Sequence, residues 1–67
     1  MTQSTDLFKV QVPGIFEHIG DGPSAHRLFE RLITKNGGLA SIRETNWRFL
    51  LVICANGVPV RASRIGA

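Results

Sequence analysis

Apolar and polar positions along these 67 residues change period twice. From Leu7 to Val12 they alternate, with Phe8, Val10 and Val12 on one side and Lys9 and Gln11 on the other. A period of two predicts a half-buried strand. Pro13-Gly14 ends or bends it. Ile15, Phe16 and Ile19 then either continue the strand or return as a hairpin. A type II Pro-Gly turn matches strand twist poorly, which favours a bend. After the loop Gly20-Asp21-Gly22 the period becomes helical. Ala25, Leu28, Phe29, Leu32 and Ile33 recur at i, i+3, i+4, i+7 and i+8, an apolar stripe opposite His26, Arg27, Glu30, Arg31, Thr34 and Lys35. Pro23 suits the first helical position, where no N–H is needed. Asn36-Gly37-Gly38 supplies the left-handed stop.

From Leu39 to Ile65 the chain reads as three antiparallel strands in succession. Asn56-Gly57 between two β-rich runs is a strong hairpin signal, because a two-residue type I′ turn needs positive φ at both central positions. That turn would set Ala55 against Val58, Ile53 against Val60 and Leu51 against Ala62. A corner at Thr45-Asn46 would set Arg43 against Arg48, Ile42 against Phe49 and Ala40 against Leu51. Alternate residues point to opposite faces. One face would therefore hold Ala40, Ile42, Phe49, Leu51, Ile53, Val58, Val60 and Ala62, beneath Leu28, Phe29, Leu32 and Ile33. Phe8 and Val10 of the first strand would complete the core. The expected fold is α+β: one domain over residues 1–67, with one helix packed on an antiparallel sheet in the order β-α-β-β-β and a C-terminal three-stranded meander. Residues 1–6 are polar and expected to fray.

The reverse face of that sheet carries the functional expectation. It would hold Leu50, Val52 and Cys54 among Arg43, Arg48 and Arg61. An apolar patch edged by arginines, with no second helix to cover it, has the composition of an interface. The expected function is a non-enzymatic protein-interaction module, of inhibitor or adaptor type, docking this face on an acidic or apolar protein or on another copy. A competing expectation has the Pro13 to Gly22 segment folded over that back face.

Length and charge bear on this choice. A chain of this size buries only about 60% of its unfolded surface, and Cys54, the single cysteine, cannot form an internal disulfide. His18, His26 and Cys54 match no zinc spacing. Oligomerisation or a partner is the remaining source of extra burial. The net charge is +3, and six of the eight basic residues are arginine, which favours anionic partners. A small basic nucleic-acid-binding regulator is thus the alternative, with Arg27, Arg31, Lys35 and Arg64 as candidate contacts. Trp47 would either stack on a base or cap the edge of the core. Leu50 and Val52, rather than aromatics, occupy mid-strand, which disfavours a base-stacking platform.

The segment Ala55-Asn56-Gly57-Val58-Pro59-Val60-Arg61, with Arg64 beyond it, resembles the turn and recognition helix of MerR-type regulators over about ten residues. The resemblance implies a helix starting at Pro59, with Arg61 and Arg64 facing DNA. The preceding WRFLLVIC is aromatic and apolar without a helical polar face, and favours the hairpin.

No nucleophile, base and orienting group are spaced for catalysis, so the reading is of a protein without catalytic, metal or cofactor residues and without a small-molecule substrate. Asp21 weighs against an anion cradle at the Gly20-Gly22 loop, since its charge would repel phosphate. No basic leader precedes an apolar core at the start, and the longest apolar run, Phe49 to Ala55, is short of a membrane span. The expected setting is cytoplasmic.

Overall fold

A computed structural model describes residues 6–45 and 48–65. The elements run β1 (Leu7–Val12), β2 (Phe16–Asp21), α1 (Gly22–Lys35), β3 (Leu39–Thr45), β4 (Phe49–Cys54) and β5 (Pro59–Ile65). The five strands form one antiparallel sheet in the order β2-β1-β5-β4-β3. The α+β class, the single helix and the C-terminal meander are as the pattern predicts. The return strand β2 is additional. The chain does turn at Pro13-Gly14: Ile15 N donates to Val12 O at 2.9 Å and Gly14 has φ 79°. Val12 pairs with Phe16, so the loop is three residues long. Ile15, 81% exposed, is the extra residue that lets a Pro-Gly turn close between twisted strands. The Pro13 to Gly22 segment therefore extends the sheet sideways and does not fold over its back.

Helix α1 forms where the periodicity places it. The Asp21 side chain caps it, its Oδ1 accepting from Ser24 N at 2.9 Å. At the far end Gly38 N donates to Ile33 O and Gly37 N to Thr34 O, with Gly37 and Gly38 at φ 90° and 95°, a paired closure that uses up the last carbonyls. Gly22 and not Pro23 opens the helix, a difference of one residue.

The β4–β5 turn decides the faces. Gly57 N donates to Cys54 O and Cys54 N to Val58 O, both at 2.9 Å. Val52 stands opposite Val60 and Ile53 opposite Pro59. The loop is therefore Ala55-Asn56-Gly57, three residues, with only Gly57 at positive φ. A type I turn followed by a left-handed glycine replaces the expected two-residue turn. That one-residue slip turns every β4 side chain over relative to β5. Val58, Val60 and Ala62 face the helix as predicted. Leu50, Val52 and Cys54 join them there, while Phe49, Leu51 and Ile53 face away.

The core is accordingly Val10, Val12, Ala25, Val52, Cys54 and Val60, with Phe8, Leu28, Phe29, Leu32, Ile33, Leu50, Val58 and Ala62 packed around it. The segment resembling a recognition helix is strand β5, hydrogen-bonded between β1 and β4. Five strands span about 19 Å, and a helix with its side chains is about 10 Å across. Helix α1 lies over β1, β2 and β5, which leaves β3 exposed along its whole length. The molecule measures 43 × 20 × 20 Å, with a radius of gyration of 12.1 Å against about 11 Å for a compact chain of this length.

Candidate functional site

The residues expected to form an arginine-edged patch are not brought together. Val52 and Cys54 are 2% and 1% exposed beneath the helix, and Leu50 is half-buried beside them. Desolvation pushes the Cys54 thiol above its ordinary pKa, so it stays a protonated, small apolar group. Arg43 does not oppose Arg48. In β3 the ladder steps from Ile42, opposite Val52, to Glu44, opposite Leu51, and Arg43 is the bulged residue between them. A second bulge falls at Ala40. Arg48 precedes β4, and its carbonyl accepts from Arg64 N at 2.7 Å. Trp47 and Asn46 lie outside the described residues, as do residues 1–5.

What the sheet turns away from the helix is a different surface. Pairings trace a row across it: Glu17, Gln11, Arg61, Leu51 and Glu44, on β2, β1, β5, β4 and β3 in turn. The next row is Ile19, Lys9, Ser63 and Phe49. The β4 contribution is wholly apolar: Phe49, Leu51 and Ile53 make a ridge one strand in from the β3 edge of the face. Leu7 and Ile19, 42% and 49% exposed, extend the apolar surface toward β2. None of these residues is buried, because no element of the described chain crosses this side.

The charges on this face are sparse. Arg61 lies over the Phe49 ring, its guanidinium carbon 4.7 Å from the centroid, an attraction between cation and ring quadrupole. Lys9 and Glu17 stand 3.9 Å apart at an exposed site, where an ion pair contributes little. Neither Arg61 nor Glu44 forms an ion pair among the described residues. Periodicity alone could not single out this ridge, since both faces of FLLVIC are apolar; only the loop length of the β4–β5 turn tells them apart.

The helix basics separate into two groups. Arg27, Arg31 and Lys35 are exposed, four residues apart on one side of α1, and make no ion pair among the described residues. His26 Nε2 is 3.3 Å from Glu30 Oε2 on the neighbouring side. Arg64 is committed elsewhere: its Nη2 meets Asp6 Oδ2 at 3.0 Å in a partly buried pair.

The helix N-terminus is filled by its own cap. The backbone N–H of Ser24, its side chain and then the charge of Arg27 hold the Asp21 carboxyl below the usual aspartate range. An apolar trough of about 430 Å³ runs between Ala25 and Phe29 of α1 and Phe8, Leu50 and Ala62 of the sheet. Among the described residues no three His, Cys, Asp or Glu side chains gather as a metal site, and no helix is long and apolar enough to cross a membrane. No protein-family model, curated protein or solved structure matches this chain.

Proposed function

We propose that this protein is a non-enzymatic protein-interaction module whose working surface is the helix-free face of the sheet. The observation that supports the reading is the ridge Phe49-Leu51-Ile53, three half-buried apolar side chains in line on the side of the sheet opposite the helix. The accessible surface, 4771 Å², exceeds the about 4,200 Å² that scaling gives a monomer of 7.4 kDa. Contiguous exposed apolar surface on a small chain marks association sites. With Arg61 on one flank and Glu44 on the other, the ridge suits an apolar partner surface of mixed charge better than a strongly acidic one.

A photo-crosslinking residue in place of Ile53, irradiated in the producing cells, is expected to give covalent adducts with protein, whether another copy or a different chain. The same residue in place of Thr34, on the outer side of α1, is expected to give none. Absence of adducts from position 53, or equal yield from both positions, would overturn the reading.

The exposed row Arg27, Arg31 and Lys35, without an ion pair among the described residues, favours one second reading, contact with nucleic acid. Three phosphate contacts would give a log–log salt slope of about −3 on duplex DNA, lost on Arg31→Glu. The row is only about 12 Å long at 1.5 Å per residue, and the rest of the basic charge is dispersed over other elements.

A further inference from the structure

We infer that β2 is a self-association edge: two copies of this chain pair β2 to β2, antiparallel, about a two-fold axis that stands perpendicular to the sheet at His18. This contact lies apart from the helix-free face and makes no use of the ridge. The two rims of the sheet differ. In the order β2-β1-β5-β4-β3, β2 and β3 are the edge strands. An edge invites pairing with another chain unless something blunts it. β3 is blunted, because bulges at Ala40 and Arg43 interrupt its run of backbone groups. β2 is not. Its six pairings with β1 are consecutive, it contains neither proline nor lysine, and all of its residues but Gly20 are exposed.

Charge and shape select one register. Pairing with β1 sets Phe16, His18 and Gly20 on the side of α1, and Glu17 and Ile19 on the helix-free side. With the axis at His18, Glu17 of each copy stands opposite Ile19 of the other, and Phe16 of each opposite Gly20 of the other. An axis at Glu17 would set the two Glu17 carboxylates against each other. An axis at Ile19 would set Glu17 opposite Asp21 of the other copy, and Asp21 already ends the strand as the helix cap. Like charges directly opposite one another are destabilising. The side chains also fit at His18. The imidazole leans along its own strand, with Nε2 2.9 Å from where a Cβ on Gly20 would lie. The two rings therefore tilt away from the axis in opposite directions. Phe16, 41% exposed, then lies across the bare Gly20 of the other copy and against that copy's His18 ring. An aromatic ring over an edge glycine is a device that pins strand register.

Pairing joins the two five-stranded sheets into one, with both copies of α1 on the same side. The axis closes the assembly at two copies. β2 laid on β3 of another copy would instead propagate without end, and it would meet the bulges. β4 takes no part in this contact.

One short edge gives a contact at the low end of specific interfaces, so the dimer is concentration-dependent. Sedimentation equilibrium of the reduced parent over two decades of concentration should show a monomer–dimer equilibrium. Single cysteines then read the register, because Cys54 is buried and a disulfide needs Cβ atoms within about 4.5 Å of each other. Under mild oxidation His18→Cys should form a covalent dimer about tenfold faster, or more, than Glu17→Cys and Ile19→Cys, which report the two shifted registers. Circular dichroism checks that each variant is folded. A monomer at every concentration would overturn the inference; if the Ile53 probe then still captures protein, the interaction reading stands and only the edge pairing fails. Equal rates at the three positions, or fastest cross-linking at Glu17 or Ile19, would overturn the assigned axis. A dimer that Leu51→Gln abolishes, with no selective cross-link at His18, would move the second copy to the ridge and overturn the edge contact.

Discussion

Asn56 Nδ2 donates to Asn36 Oδ1 at 2.8 Å, tying the β4–β5 turn to the end of a helix twenty residues earlier. Each asparagine serves both ends of the link. Asn36 Nδ2 donates to Leu32 O at 2.7 Å, and Asn56 Oδ1 accepts from Val58 N at 3.0 Å. Backbone bonds run alongside, from Ala55 N to Gly38 O at 2.8 Å and from Asn56 N to Asn36 O at 3.2 Å. The turn that sets the β4 register is thus held by the helix that covers β5. Asn36→Ala and Asn56→Ala should each cost about 1 kcal/mol. In urea denaturation the two should be coupled by about 0.5 kcal/mol or more; strict additivity would mean that the side chains act separately.

Gly57 is the position in that turn where a side chain is penalised by backbone geometry. Its φ of 90° is left-handed, and a Cβ there would meet open space. Gly57→Ala should therefore lose about 1–2 kcal/mol from conformation alone, visible as a lower urea midpoint at unchanged slope. A neutral result would indicate that the loop relaxes to another turn.

The two faces of the sheet respond differently to truncation. Val60 is fully buried, and Val60→Ala should cost about 2 kcal/mol through lost burial and an unfilled cavity. Leu51→Ala on the open face should cost the monomer less than about 1 kcal/mol. Thermal melts at low protein concentration, where association is minimal, check both. Were the β4 faces reversed, Leu51 would be the more damaging of the two.

Acid should weaken the start of α1 through Asp21. Its folded pKa is lowered by the hydrogen bonds from Ser24 and the nearby Arg27. The contribution of this group is therefore present above the unfolded-state value and fades as pH falls through the folded one. Asp21→Asn keeps an acceptor for Ser24 N and removes this titration. The variant's melting temperature should fall less steeply in acid than the parent's. Identical acid profiles would show that other carboxylates dominate.

The helix was legible to within one residue, because its apolar stripe, Pro23 and its glycine stop indicate nearly the same boundaries; the cap at Asp21, hidden in a glycine loop, was not singled out. So was the inward side of β1 and β5, where Val10, Val12, Val60 and Ala62 alternate with polar neighbours. Strand β4 was not, because Leu50, Val52 and Cys54 are as apolar as Phe49, Leu51 and Ile53. Its orientation hangs on whether the loop holds Asn56-Gly57 or Ala55-Asn56-Gly57, and both satisfy the glycine. Leu50, Val52 and Cys54 were assigned to the open face for that reason, and Arg43 was set against Arg48 because bulges in β3 leave no mark in composition. β2 was obscured by the Pro-Gly signal, whose extra residue Ile15 restores a closure that two residues alone would strain.

The pairing of Leu7 with Ile65 joins positions 58 residues apart. Both ladders that flank this junction, β1 with β2 and β4 with β5, close over short loops and form early on entropic grounds. Bringing the first ladder to the last is the slow step, because the long intervening chain must be gathered before any reward is collected. Only then does α1 have all three strands that it rests on. Folding of so short a chain should therefore be all-or-none, limited by one late docking event, and a nascent chain would hold no complete sheet until β5 has left the ribosome.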